Sequence, residues 1–175
     1  CDTVYTRLGL RRADFDPERG FVLNGRKVIL KGANLHQDHA GVGSGIPDAL
    51  WRYRLMQLRK WGFNAIRSSH NPASPALLDL CDSLGFFVID ENREFGSSFR
   101  HLELMGDMIR RDRNHPCVIL WSVGNEEWAV EHSPKGELIA GRLCEHAHRL
   151  DPSRSCTYGS SSGRDPNYAV DVFGF

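Results

Sequence analysis

The stretch VILWSVGNEEW, Val118–Trp128, decides the fold class. It begins as a strand too apolar to face water and ends in an amide followed by two consecutive carboxylates. Apolar strands without polar alternation are typical of parallel sheets, which are covered on both faces. In such sheets, functional groups gather just past the carboxyl ends of the strands, where the loops converge. The stretch therefore predicts a buried parallel strand with Asn125, Glu126 and Glu127 at its functional end.

Strands and helices alternate around this stretch. Short apolar blocks predict strands at VILKGAN (28–34), NAIRSSHN, FFVID, VILWSVGN, CTYGS and YAVDVFGF (168–175). Segments with apolar residues at helical spacing separate most of these strands. One example is SPALLDLCDSLG, where Ser74 is the expected N-cap and Gly85 the expected end of the helix. The pattern indicates an α/β fold with about six parallel strands. Neither G-x-G-x-x-G nor G-x-x-x-x-G-K-[ST] occurs, so a nucleotide-binding doubly wound sheet is disfavoured and a barrel is favoured.

The N-terminal segment has a different character. FVLNGRKVIL carries Asn24-Gly25 between two apolar runs, which predicts a β-hairpin with a type I′ turn. TVYTRLGLRR (3–12) is predicted as a strand, and the turn-rich ADFDPERG (13–20) separates it from the hairpin. We therefore predict that residues 1–18 are a linker or the tail of a preceding domain and that residues 19–175 form one domain.

Composition narrows the class of function. Lys plus Arg (22) balance Asp plus Glu (22), so no general field favours nucleic acid or a membrane surface as a partner. No apolar run approaches the ~20 residues that span a bilayer. The five cysteines are widely spaced and never form a C-x-x-C pair, which argues against a disulfide framework or a zinc site. His101, His115, His132, His146 and His148 have no partner pattern and are interpreted as structural or solvated.

Four successive predicted strands deliver polar groups at the same structural level. The candidate site residues are His36, Asp38, Arg67, His70, Asp90, Glu91, Asn125 and Glu126. A single Arg or Asp at a strand end is usually a cap or a surface group, but four coincidences favour a shared pocket. A metal-dependent hydrolase using His36, Asp38, His39 and His70 is an alternative, although their spacing matches no ligand motif.

A pocket of this composition suits a neutral polyhydroxylated ligand. Amides and carboxylates bind hydroxyl groups, while rings such as those of Trp121 and Trp128 can cover apolar sugar faces. Hydrolysis of a glycosidic bond needs one carboxylic acid and a second carboxylate. Glu126 and Glu127 are not that pair, because neighbours on a strand point to opposite sides. Strand alternation places Glu126 with Ser122 and Gly124, and we expect this set to face inward.

Three linked stretches carry a resemblance to a known family. GFVLNGRKVILKGANLHQDH, GFNAIRSSHNPASPALLDLCDSLGFFVIDEN and RDRNHPCVILWSVGNEE are similar, in order and spacing, to the central barrel domain of glycoside hydrolase family 2. That family contains β-galactosidases, β-glucuronidases and β-mannosidases. The resemblance covers residues 19 to 175 and implies the N-terminal part, about six strands, of a (β/α)8 TIM barrel preceded by the hairpin.

The resemblance also implies roles for individual residues. Glu126 matches the general acid/base of a retaining β-glycosidase, and Asn125 matches the amide that binds the sugar 2-hydroxyl. Further positions match the lining of the substrate pocket: His36, Arg67, His70, Asp90 and Glu91. Asp38 lies in the same motif as His36 and is included as a substrate-binding candidate.

Departures from the family pattern lead to further expectations. The family's nucleophilic Glu lies on a later strand, so we expect this chain to carry the acid/base half and to be inactive or nearly so alone. The start at Cys1 rather than Met suggests a processed product or an excised piece. Residues 1–18 resemble the tail of a preceding β-sandwich. No cofactor is predicted. Some larger β-galactosidases of the family hold magnesium through groups after the third strand, but DENREFG lacks their full pattern. The open barrel edges predict self-association or pairing with the missing parts. A catalytically inert carbohydrate-binding fragment is the alternative, and the parent enzyme is either cytoplasmic or periplasmic/secreted.

Overall fold

The computed structural model describes residues 2–5, 8–161 and 165–174. Within these ranges the chain forms eight strands and four α-helices, followed by one 3₁₀ helix. In chain order they are β1 (Ala13–Asp16), β2 (Gly20–Leu23), β3 (Arg26–Lys27), β4 (Gly32–His36), α1 (Asp48–Lys60), β5 (Ala65–Ser69), α2 (Pro75–Leu84), β6 (Phe87–Glu91), α3 (Phe99–Asp112), β7 (Val118–Asn125), α4 (Pro134–Leu150), β8 (Ser155–Gly159) and the 3₁₀ helix (Asp165–Ala169).

The first three strands form a small antiparallel sheet in the order β1-β2-β3. The predicted hairpin is present: Asn24 (φ 50°) and Gly25 (φ 81°) both have the positive φ of a type I′ turn. The strand predicted at 3–12 is absent from the described residues of that segment, and the stretch predicted as a turn supplies β1 instead. The physical reason is local, because the Asp16 carboxylate accepts from the backbone N–H groups of Glu18 and Arg19, at 3.0 and 2.8 Å, and closes the turn into β2. The proposed boundary after residue 18 falls inside this sheet, and the division into domains stays a prediction.

The other five strands form a parallel sheet in the order β4-β5-β6-β7-β8. Its first strand begins at Gly32, so the single strand predicted over 28–34 is interrupted. The side chain of Asn64 is the cause, since it accepts from the Lys31 N–H at 2.8 Å and donates to the Ile29 carbonyl at 2.9 Å. Among the described residues, β4 and β8 each pair with one strand of this sheet, so the sheet is open.

Helices α1 to α4 connect the strands and cover one face of the sheet. The sequence signals of α2 are confirmed: the Ser74 hydroxyl accepts from the Leu77 N–H at 3.3 Å, and Gly85 has the left-handed conformation, with φ 72°. Helix α1 has Asp48 as its first helical residue and Pro47 at the N-cap. The core between helices and sheet is formed mainly by fully buried apolar side chains, including Leu55, Leu78, Val88, Ile109, Val118, Trp121 and Leu143. This packing fixes the strand ends that carry the polar residues.

The last predicted strand, 168–175, is wrong within the described residues. Asp165–Ala169 forms a 3₁₀ helix that packs on α4, and Val172 makes only an isolated bridge to Thr157. Pro166, whose fixed φ suits a helical turn, lies at the second position of this helix. Phe175 lies outside the described residues. None of the described helices combines the length and apolarity that crossing a bilayer requires.

Candidate active site

A hydrogen-bonded network joins three neighbouring strands at the carboxyl end of the parallel sheet. Arg67, on β5, donates from Nε to Oε2 of Glu91, on β6, across 2.6 Å. Its Nη2 donates to Oδ1 of Asn125, on β7, also across 2.6 Å. Because these strands are parallel and adjacent, inward side chains near their carboxyl ends meet at one rim. The three residues were all predicted from strand ends, and the structure brings them together.

Glu91 is the centre of the network. Its side chain is fully buried, and each of its oxygens accepts a hydrogen bond. Oε1 accepts from Nδ1 of His70 at 2.6 Å, while Oε2 accepts from Arg67 and from the Ser122 hydroxyl at 2.8 Å. Charge-assisted bonds of this kind are short and directional. Glu91 therefore acts as a fixed anchor for Arg67 and His70.

Two further groups complete the rim. The ring of His36, at the end of β4, contacts the ring of His70 edge to face, with centroids 5.2 Å apart. At the opposite edge of the sheet, Gly159 ends β8 close to the network. A Cβ added at Gly159 would lie 2.4 Å from Arg67 Nη2 and 3.0 Å from Asn125 Oδ1. Sequence reasoning missed Gly159, although a glycine at the end of a predicted strand is a signal of close approach.

The end of β7 does not follow simple alternation. The pairing of β7 with β8 shifts between Ser122 and Asn125, and both of these residues bond into the network. Gly124 faces the other way, because a Cβ there would lie 2.6 Å from the Phe95 ring. The predicted grouping of Glu126 with Ser122 and Gly124 is therefore wrong, since a β-bulge changes which residues share a face.

Glu126 lies directly after the strand and is exposed to solvent. Its φ of 44° is left-handed, which turns the chain away from the line of β7. The backbone N–H of Glu126 donates to the Gly159 carbonyl at 2.9 Å, so the residue is tied to the same rim as Asn125. The next N–H, that of Glu127, donates to the Tyr158 hydroxyl at 2.9 Å. The loop that carries Glu126 is thus held at two points.

Two of the predicted residues lie apart from the network. Asp38 is exposed in the loop after β4, and its backbone carbonyl accepts from Arg54 at 3.0 Å. Asp90 is fully buried on the helix side of β6, where its Oδ1 accepts from the Ala73 N–H at 2.8 Å and from the Ser68 hydroxyl at 3.1 Å. Burial, together with the negative charge of Asp112, raises the pKa of Asp90 well above its usual range. Alternation explains the separation, because Asp90 and Glu91 are consecutive on one strand.

The aromatic residues are also divided. Trp121 is buried on the helix side, where its Nε1 donates to Asp151 at 3.0 Å, so it does not line the rim. Trp128 is 75% exposed, in the loop after Glu126. The alternative of a metal held by His36, Asp38, His39 and His70 gains no geometric support: among the described residues, no three of them bring donor atoms within 4.8 Å of one another.

The geometry defines what the rim can do. The Oδ1 of Asn125 accepts the hydrogen bond from Arg67. This bond orients the Nδ2 group of Asn125 so that it can donate to a ligand hydroxyl. Glu126, the next residue in the chain, supplies an exposed carboxyl group. The site therefore combines a preset hydrogen-bond donor with an accessible proton-transfer group.

Comparison with known proteins assigns the chain to a family. A sequence profile described as "Glycosyl hydrolases family 2, TIM barrel domain" matches residues 17–173. The chain is 32% identical over 221 residues to the β-galactosidase BoGH2A of Bacteroides ovatus, covering 99% of this chain and 26% of that protein. It is 37% identical over 163 residues to the β-glucuronidase of Sus scrofa, covering 87% of this chain and 25% of that protein.

Comparison with solved structures points to the same family. A β-glycosidase from Bacteroides vulgatus superposes with a TM-score of 0.83 at 40% sequence identity, over 96% of this chain and 22% of that one. A family 2 member from Bacteroides cellulosilyticus DSM 14838 gives a TM-score of 0.85 at 36% identity, over 95% and 24%. The chain thus spans about a quarter of the length of these relatives. The predicted α/β barrel class is confirmed, and the chain belongs to glycosyl hydrolase family 2, of which it carries part of the TIM barrel domain.

Proposed function

We propose that this chain forms the acid/base side of the active site of a retaining β-glycosidase, with Glu126 as the general acid/base. The observation that carries the proposal is the Arg67–Asn125 bond, because it presets an amide donor on the residue immediately before the exposed Glu126. Membership of the family and the β-galactosidase and β-glucuronidase names of its relatives support the reaction class.

The proposed role of Glu126 follows from its surroundings. In the first step its carboxyl group gives a proton to the glycosidic oxygen as the bond to the anomeric carbon breaks. In the second step the same group, now a carboxylate, takes a proton from the water that releases the sugar. Such a group needs access to the substrate. Glu126 is exposed, whereas Glu91 is buried with both oxygens accepting hydrogen bonds.

A retaining enzyme needs a second carboxylate as nucleophile. Glu91 does not suit that role, since its oxygens accept from Arg67, His70 and Ser122. We place the nucleophile on a part of the barrel outside residues 1–175, and we therefore propose that these residues alone hydrolyse no glycoside. The open edges of β4 and β8 support this arrangement, because unpaired strand edges are where further strands of the barrel would add.

The proposed substrate is a terminal β-linked sugar. We assign substrate binding to Asn125, through the amide that Arg67 orients, and to His36 at the opposite end of the rim. Arg67, His70 and Glu91 position these groups through their mutual hydrogen bonds. Asp38 is exposed two residues after His36 and is a candidate for contact with a more distant part of the substrate. Aryl β-galactoside, β-glucuronide and β-mannoside, assayed side by side, identify the sugar.

The test is Glu126→Gln in a protein that contains residues 1–175 together with the rest of the barrel, called the intact protein below. General acid catalysis contributes about 10²–10⁴-fold, so kcat/KM should fall by roughly that factor for an aryl glycoside with a poor leaving group. A dinitrophenyl glycoside needs little protonation, so its first step should be affected much less. Azide should restore turnover of that substrate by replacing the base-assisted attack of water, and the product should be a β-glycosyl azide.

The matched control is Glu127→Gln, which changes the adjacent carboxylate while keeping the backbone bond to Tyr158. It should alter kcat/KM far less than Glu126→Gln. Equal losses in the two variants, or a loss in Glu126→Gln that does not depend on the leaving group, would contradict the assignment of Glu126.

A further inference from the structure

Four potential metal ligands converge on the helix side of the sheet, away from the rim. They are Cys144 and His148 on α4, Cys156 on β8, and Asp171, which follows the 3₁₀ helix. One donor atom from each residue lies within 4.8 Å of the corresponding atoms of the other three. The sequence shows no zinc motif, because the four residues come from separate parts of the chain and meet only in the fold.

The backbone explains why they meet. Cys144 and His148 are four residues apart on α4 and so share one face of the helix. Asp171 and Val172 both donate from their backbone N–H groups to the Cys156 carbonyl, at 3.2 and 3.0 Å. The Cys156 N–H in turn donates to Asp171 Oδ2 at 2.6 Å, which fixes the carboxylate beside the two thiols.

The distances suit one small cation. His148 Nε2 lies 2.8 Å from Asp171 Oδ2, and the Cys144 sulfur lies 3.8 Å from each of these atoms. With Zn–S bonds of about 2.3 Å and Zn–N or Zn–O bonds of about 2.0 Å, a tetrahedral site separates sulfur from nitrogen or oxygen by about 3.5 Å. Small side-chain adjustments at the partly exposed His148 and Asp171 bring these three atoms to that geometry, and the Cys156 sulfur lies within 4.8 Å of each of them.

A simple His–Asp ion pair next to two buried thiols is the competing interpretation. It explains the short bond of His148 with Asp171 and treats the two cysteines as members of the hydrophobic core, whereas a metal site also accounts for the meeting of both sulfurs beside that pair. The second group of potential ligands, Asp82, His115 and Cys117, offers only three donors. Asp82 already uses one oxygen for His115 and the other for the Cys117 N–H. The larger group is therefore the stronger candidate.

We propose that Cys144, His148, Cys156 and Asp171 bind one Zn²⁺ as a structural site. Each thiol releases one proton to solvent on binding, so two thiolates, one carboxylate and one neutral imidazole surround the cation. A surface depression lined by Gly141, Glu145 and Ala169 reaches Cys144, His148 and Asp171, which gives the ion access from solvent. The site would clamp the end of α4 to β8 and to the segment after the 3₁₀ helix.

The test uses the intact protein, reduced and stripped of metal, titrated with ZnCl₂ and separately with CoCl₂. We expect one zinc per chain by elemental analysis, a higher unfolding temperature with zinc than without, and a thiolate-to-cobalt charge-transfer band with strong tetrahedral d–d absorption. His148→Ala and Asp171→Asn should weaken binding, and Cys144→Ala combined with Cys156→Ala should abolish the charge-transfer band.

Two controls separate the site from adventitious binding. Cys81→Ala removes a buried cysteine outside the group, and His101→Ala removes a histidine outside it, and both should bind zinc as the unaltered protein does. Since His148 is partly exposed, loss of folding does not confuse its result. The proposal would be overturned if the reduced protein titrated with CoCl₂ showed no thiolate-to-cobalt band. It would also be overturned if His148→Ala and the unaltered protein bound equal amounts of zinc.

Discussion

The guanidinium of Arg67 and the side-chain amide of Asn125 lie 58 positions apart in the sequence and are joined by a 2.6 Å hydrogen bond. Arg67 is itself held by Glu91, a buried residue on the strand between them. One side chain thus fixes the orientation of another across three strands. The consequence is that Asn125 should depend on Arg67 for its function, although Arg67 need not contact the reacting atoms.

Arg67→Lys tests this dependence. An ammonium group cannot reach Glu91 and Asn125 in the forked geometry of a guanidinium, so the amide should lose its fixed orientation. We expect kcat/KM of the intact protein to fall by about 100-fold, as for other small misplacements in an active site. Arg59→Lys, at an exposed arginine that binds the Leu84 carbonyl, is the control and should retain activity. Activity unchanged in Arg67→Lys would show that the Arg67–Asn125 bond has no positioning role.

Glu91→Gln should lower the stability of the fold, because it removes the charge at the centre of the network. The amide has nearly the same shape but no charge, and its NH₂ group must face either the donors Arg67 and Ser122 or the His70 ring, which must then change to the tautomer that accepts at Nδ1. Weakening the charge-assisted bond to Arg67 or leaving a buried donor unsatisfied costs about 1–3 kcal/mol, and we expect a loss of that size in the free energy of unfolding measured with urea. Glu94→Gln, at a partly exposed carboxylate, should change it far less. Equal stability of the two variants would mean that the network does not need the Glu91 charge.

Gly159→Ala should damage the site more than the fold. The added Cβ would lie 2.4 Å from Arg67 Nη2, so the end of that side chain must shift, although Glu91 still holds its Nε. That movement breaks the bond to Asn125, so kcat/KM should fall about 100-fold while the unfolding temperature changes little. Gly141→Ala is the matched control, since its Cβ would meet only Ala169 at 3.4 Å, and it should keep full activity. A Gly159→Ala variant with normal kinetics would argue against close packing at this rim.

Asp90→Asn should stabilise the protein at neutral pH. Burial and Asp112 raise the folded pKa of Asp90 above its ordinary value of 3.8, so the folded state holds its proton more tightly than the unfolded state. The stability that this proton contributes is present below the unfolded pKa and is lost as the pH rises above it. Asparagine can keep the acceptor for Ala73 and Ser68 without the charge.

The measurement is urea unfolding of the variant and the unaltered protein at pH about 7 and about 4. The gain in stability should be larger at the higher pH. Asp79→Asn, at an exposed position, should show no such dependence. Because Asp90 lies away from the rim, we also expect Asp90→Asn to keep its activity. A large loss of kcat/KM would restore Asp90 to the substrate pocket, as its place at a strand end had suggested.

Local chemistry was readable in the sequence. The Asn24-Gly25 turn, the Ser74 cap and the Gly85 stop depend on neighbouring residues only, and the structure contains all three. The same is true of the strand ends at Glu91 and Asn125 and of Arg67 near the end of β5, because an apolar run followed by polar residues marks both a strand and its end. These features were enough to predict a parallel α/β sheet and most of the polar rim.

Other features depended on how the elements pack. The bulge at the end of β7 reversed the expected facing of Gly124, since alternation along one strand carries no information about its pairing register. The proximity of Gly159 to Arg67 arises from β8 lying beside β7. The meeting of Cys144 and His148 with Cys156 likewise arises from α4 packing on β8. The sequence by itself determined the Asn24-Gly25 turn, the two ends of α2 and the carboxyl ends of β6 and β7, because those features depend on near neighbours. Only the tertiary structure decided which of these residues touch, because contact between distant segments is set by strand register and by the packing of helices on the sheet.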